Sequence, residues 1–213
     1  TLEESPELAA DLAVRAARVA WDRLADAGRA TEILRKALEL VPGHAEITTL
    51  LEWLLRDTAQ AEALADFYRA ESERTLNDDV AQRLMLQLGW VLERELQRPA
   101  EAAEVYDQLW QRAPDDRGVI AVLARALEAA GSHARLAEIR EVQAEAMEDL
   151  HDKAVAYQLL GEFYLDRVKD EVKAEEAFLR ARASNPEGLT SLYSLAALSM
   201  ARRDWPKLAE VYD

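Results

Sequence analysis

The sequence predicts an all-α protein, an α-solenoid of stacked antiparallel helix hairpins with about twelve helices. Three observations carry this expectation: apolar residues recur every three or four positions between turn signals, glycine and proline are scarce, and several residue types return at one fixed step. Pro42, Pro114 and Pro186 are separated by 72 residues each time, as are Ala30, Ala102 and Ala174. Leu64, Leu136 and Leu208 keep the same step, and each is followed by alanine. A bulky residue recurs with them at Leu34, Tyr106 and Phe178. The expected organisation is one repeat domain over residues 1–213, in double-hairpin units 1–72, 73–144 and 145–213.

In the middle unit the periodicity places helices near Val80 to Leu96, Ala100 to Ala113, Gly118 to Ala130 and Ala134 to Met147. Pro99 falls where a helix loses no donor by starting on proline, and Pro6 and Pro206 have the same setting in the outer units. Pro114 ends a helix together with Asp115 and Asp116. Gly28, Gly43, Gly118, Gly131 and Gly188 fall at expected turns. Gly89 and Gly161, also 72 residues apart, fall inside helices, where a missing side chain lets a neighbouring helix approach closely.

Composition narrows the function. The 41 acidic side chains outnumber the 26 basic ones for a net charge of −15, which disfavours nucleic acid and anionic membrane surfaces, since both draw affinity from clustered Lys and Arg. A neutral or basic polypeptide fits that field better. The chain has no cysteine, so disulfides, thiolate chemistry and sulfur-ligated zinc are excluded. No apolar run reaches the roughly 18 residues of a membrane span, so no membrane insertion is expected. The absent initiator Met and the helical pattern running up to Asp213 suggest a piece of a longer array, with a cytoplasmic location.

Residues that could carry chemistry are dispersed. His44, His133 and His151 lie in or beside expected turns, far apart, so no metal site is expected. The glycines are too scattered for a phosphate loop, so neither a nucleotide nor another cofactor is implied. Ser132 beside His133 suits a helix cap rather than an activated nucleophile. Asp78 with Asp79, and Asp115 with Asp116, suit caps and first-turn carboxylates. Glu101 with Glu104, and Glu175 with Glu176, suit solvated helix faces. The reading is a binding protein without catalytic residues.

Leu88, Gly89, Leu92, Ala102, Tyr106, Leu109 and Pro114 resemble the tetratricopeptide repeat (TPR) pattern, and Tyr157, Leu160, Gly161, Tyr164, Ala174, Phe178, Ala181 and Pro186 resemble it more closely. In the first unit the match is Ala30, Leu34, Ala37 and Pro42, with Ala17 in place of the glycine. Both clear matches carry one extra residue between their helices, and the intervening hairpins keep only the spacing, through Leu51, Leu55, Leu64, Phe67 and Tyr68. Such alternation of well-matched and degenerate repeats resembles long bacterial arrays.

The resemblance implies a right-handed superhelix whose inner helices line a concave, protein- or peptide-binding surface. Carried over position by position, it places Thr49, Trp53, Leu86, Trp90, Arg125, Gln158, Glu162 and Tyr193 there. The set lacks the Lys, Asn and Arg by which family members grip a C-terminal carboxylate. Trp21, Trp110 and Trp205 are expected to fill gaps between helices, whereas Trp53 and Trp90 are candidates for the groove. The function implied is a scaffold or adaptor, with a non-catalytic arm of a larger enzyme or signalling protein as the alternative. Self-association through end helices is compatible with either.

Overall fold

The computed structural model describes residues 6–212, and among these residues all regular structure is helical. Twelve α-helices occur there: α1 (Pro6–Asp22), α2 (Ala27–Leu40), α3 (Ala45–Asp57), α4 (Ala61–Arg74), α5 (Asp78–Arg94), α6 (Pro99–Arg112), α7 (Arg117–Ala129), α8 (His133–Glu145), α9 (Leu150–Phe163), α10 (Glu171–Ser184), α11 (Leu189–Arg202) and α12 (Trp205–Tyr212). The helices group into two compact units, 1–126 and 127–213.

Local chemistry sets the helix ends. Asn77 caps α5 by accepting from Val80 N–H at 3.1 Å, with Asp78 and Asp79 in the first turn and Arg94 in the last, each sign matched to the helix dipole. Asp116 caps α7 through Gly118 N–H (2.8 Å) and Val119 N–H (3.2 Å). Asp170 caps α10 in the same way. Pro99 opens α6 where its lost donor would have been an orphan. Two expected details differ: Ser132 precedes α8 but its side chain makes no cap bond, and Gly28 lies in the first turn of α2, whose start at Ala27 is fixed by Asp26 accepting from Arg29 N–H.

In unit 1, α1 packs on α2 and α3, α4 on α5, and α5 on α6. In unit 2, α9 packs on α8 and α10, and α11 on α10 and α12. Each clear hairpin is held by a small-against-large contact. A Cβ on Gly89 would lie 2.3 Å from the Tyr106 ring, and one on Gly161 would lie 2.4 Å from the Phe178 ring. Both rings are about 1% exposed. Burying such a side chain contributes about 1.5–3 kcal/mol, and only a glycine lets the ring lie flat on the partner backbone.

The turns within hairpins explain both the 72-residue step and the extra residue. The left-handed backbone occurs at Ala25, Gln97 and Lys169, and again at Ala59, Gly131 and Arg203, with each series stepping by 72. In the first series the closing bonds span six residues, Asp26 N–H to Ala20 O (2.9 Å), Arg98 N–H to Leu92 O (2.7 Å) and Asp170 N–H to Tyr164 O (3.0 Å). In the second they span five: Gln60 to Leu55, Ser132 to Leu127 and Asp204 to Ser199, all 2.9 Å. The wider turn absorbs the inserted residue, and after α9 it takes the form of a π-helical segment, Tyr164–Val168.

Only one of these six within-hairpin turn positions is glycine, although a left-handed L-residue costs about 1–2 kcal/mol. Ala59→Gly is therefore expected to raise stability by about 0.5–1 kcal/mol, and Gly131→Ala to lower it by about 1 kcal/mol, in thermal unfolding followed by circular dichroism.

Two assignments are corrected. Trp205 fills no gap: it is 62% exposed at the first position of α12, where the side chain leans back over the preceding turn, and among α12 residues only Val211 is buried. Glu175 lies on no solvated face: it is buried among the helices of unit 2, where Arg202 of α11 and Lys207 of α12 pair with it.

Candidate partner-binding surface

Among the described helices, most exposed large apolar side chains lie on the first of each pair, with Trp205 and Tyr212 of α12 among the exceptions. In unit 1, Thr49 and Trp53 stand one turn apart on α3, both exposed, with Trp53 at 46% and the Thr49 hydroxyl donating to Ala45 O. Leu86 is half-buried on α5, and Trp90, one turn on, is 45% exposed. Large rings held at about half exposure keep their bodies anchored and offer a face, as interface anchors do.

Arg125 is not a free cation. Its guanidinium makes two 2.8 Å bonds to the Glu93 carboxylate, which is only 8% exposed. The bond to Arg125 holds Glu93 below the usual carboxylate range against the opposing effect of burial. Tyr106, beneath the pair, is pushed up to about 12, by burial first and then by the Glu93 charge. In the hairpin before it, burial first and the hydrogen bond to Glu52 second raise Tyr68 well above its usual value. The Tyr68 hydroxyl, accepting from Arg56 at 2.6 Å and donating to Glu52 at 2.8 Å, braces α4 against α3.

In unit 2, Gln158 is buried. Its amide nitrogen donates to Glu162 (2.9 Å) and Ser194 (3.0 Å), so it braces α9 against α11. Glu162 and Tyr193 are exposed, Tyr193 at 60%. Beside Glu162 on α9 stand the exposed Val155 and Leu159, which sequence reasoning did not select. Their spacing from Glu162 is the signal that could have found them, because residues 155, 159 and 162 share one helical face.

Trp21, expected to fill a gap between helices, packs on Trp53. It is half-buried on α1 and meets Trp53 edge to face, with ring centroids 5.6 Å apart at 90°. Trp21 and Trp53 occupy the positions that Glu93 and Arg125 occupy 72 residues later, so one contact between successive hairpins is a tryptophan pair in the first double-hairpin unit and an ion pair in the second. Among the described residues, no group of three or more His, Asp or Glu side chains could hold a metal ion, and no helix is long and apolar enough to cross a membrane.

The chain matches no protein-family model and no curated protein. Among solved structures it is similar to YrrB, described as a TPR protein with an unusual peptide-binding site, at 19% identity over 87% of this chain and 91% of that one, TM-score 0.43. It is similar to MamA from Desulfovibrio magneticus RS-1 at 21% identity over 79% and 90%, TM-score 0.40. The structure of Naa15/Naa10 bound to HypK-THB gives 14% identity and a TM-score of 0.57 over 99% of this chain and 32% of that one. Its paired helices, its repeated glycine-on-ring contacts and this likeness of fold make the chain an all-α protein of repeated helix hairpins.

Proposed function

We propose that this chain is a protein-binding scaffold that offers the exposed side chains of its first-of-pair helices to a polypeptide. The observation that carries the reading is the half-exposed tryptophans, Trp53 and Trp90, held on helices whose opposite faces are packed. Exposed rings fixed in this way forgo burial that the fold could have used, and they lose little conformational entropy on docking. The net charge of −15 favours a neutral or basic protein partner over nucleic acid.

Trp90→Ala tests the proposal. A partner captured from the native source, identified by mass spectrometry and then purified, is expected to bind the variant at least about tenfold more weakly, with helicity unchanged by circular dichroism. Unchanged affinity for both Trp90→Ala and Trp53→Ala would overturn the assignment of this surface.

A further inference from the structure

The contact of α4 with α5 inside unit 1 has both of its halves repeated elsewhere in the chain, each on an uncovered helix face. On α5, Ala81, Leu84 and Val91 are buried, and the same three residue types stand 72 residues earlier on α1 as Ala9, Leu12 and Val19. Their exposure differs sharply: Val91 is 0% exposed and Val19 is 53%, and Leu12 is exposed as well. Both α1 and α5 pack on the helix that follows them, so the cover that α5 has in addition is α4, the helix before it.

The other half is repeated on α12. Leu64, Ala65 and Tyr68 are buried on α4, and two steps of 72 residues later the same types recur as Leu208, Ala209 and Tyr212. Leu208 is half-buried, while Ala209 and Tyr212 are exposed. Both α4 and α12 pack on the helix before them, so the cover missing from α12 is the one that α5 gives α4. The repeat does not impose these types, because the matching positions of α8 and α9 hold Arg140 in place of the tyrosine and Lys153, Ala156 and Phe163 in place of the other set.

We infer that α1 of one copy of this chain docks on α12 of a second copy, in the register by which α5 lies on α4. A second copy is the partner because it brings the matching face residue for residue, Ala9, Leu12 and Val19 against Leu208, Ala209 and Tyr212. The two halves differ, so the contact runs head to tail and each joined pair keeps one free half of either kind. Burial of apolar surface drives the contact, and the charge of −15 on each copy opposes it. Added salt screens that repulsion, so it strengthens the association, whereas a contact built on ion pairs would weaken.

Sedimentation velocity of the full chain over a range of concentrations tests the inference. The weight-average mass of the native chain is expected to climb with concentration, and to climb earlier at high salt. Val19→Glu and Ala209→Glu each set a carboxylate in one half, at exposed positions, so circular dichroism and Tm are expected to stay native. Either variant alone is expected to associate at least about tenfold more weakly, since the contact would bury an unpaired charge. Mixed in equal amounts, the two are expected to form a dimer and stop there, because the intact α12 of the Val19→Glu chain receives the intact α1 of the Ala209→Glu chain.

A native chain that stays monomeric throughout, or a mixture that behaves like the separate variants, would overturn the inference. So would native-strength association by either variant alone, which would mark a symmetric contact of like ends. Trp53→Ala and Trp90→Ala are expected to leave the association unchanged, so this contact and the scaffold reading stand or fall separately.

Discussion

Gly161→Ala is expected to destabilise the protein by about 2 kcal/mol, although in an exposed helix the same change would stabilise by about 1 kcal/mol. The added Cβ would stand 2.4 Å from Phe178 Cε1 and 2.6 Å from its Cδ1. The ring has nowhere to go, because Phe178 is 1% exposed and packed in one cluster with Tyr157, Leu160, Tyr164 and Leu195. Gly89→Ala meets the same obstacle at Tyr106. The first hairpin shows the remedy, since Ala17 there faces Leu34. Gly161→Ala/Phe178→Leu is therefore expected to lie nearer the native stability than the two single changes added together, with a coupling of about 0.5–3 kcal/mol in denaturant titrations. Strict additivity would show that the glycine does not serve the ring.

The 72-residue step exposed the fold because it arises from packing. Gly89 with Tyr106 and Gly161 with Phe178 are single contacts repeated, and each needs one small and one large residue at fixed spacing. Helix ends were legible in part: Asp116 caps α7 and Asp78 and Asp79 sit in the first turn of α5 as expected, whereas the α5 cap is Asn77, one residue before the acidic pair. The turns were not legible, because Ala25, Ala59, Gln97, Lys169 and Arg203 adopt the left-handed backbone without the glycine that normally marks it. On the surface, the register that the resemblance implies selected Trp53, Trp90 and Tyr193, and these side chains are exposed. It misplaced Gln158 by about one residue's rotation, which exchanges a buried brace for the exposed Leu159 beside it. Arg125 could not be read at all without its partner, since Glu93 lies 32 residues away in sequence.

Arg125→Ala separates what that ion pair contributes from what its position requires. Removing the guanidinium leaves Glu93, 8% exposed, with only Arg94 at 4.0 Å. Stranding a buried carboxylate costs about 3–5 kcal/mol, and because Arg125 is itself 45% exposed the expected loss is about 2 kcal/mol. The loss carries a sign in pH. Glu93 is held below its unfolded value, so the pair stabilises fully above the ordinary carboxylate range near about pH 4.3 and its contribution fades as pH falls through Glu93's own lower value. The gap between native chain and Arg125→Ala is thus expected to be widest at neutral pH and to close in acid, as urea titrations at several pH values would show. The chain also supplies the neutral alternative, since the same two positions are Leu165 and Ala197 in the third double-hairpin unit. Glu93→Leu/Arg125→Ala is expected to recover most of what Arg125→Ala loses, because an apolar pair replaces an ion pair at little net cost once neither charge is stranded. If the double variant is as unstable as the single one, the ion pair holds α5 to α7 in a way that shape alone does not.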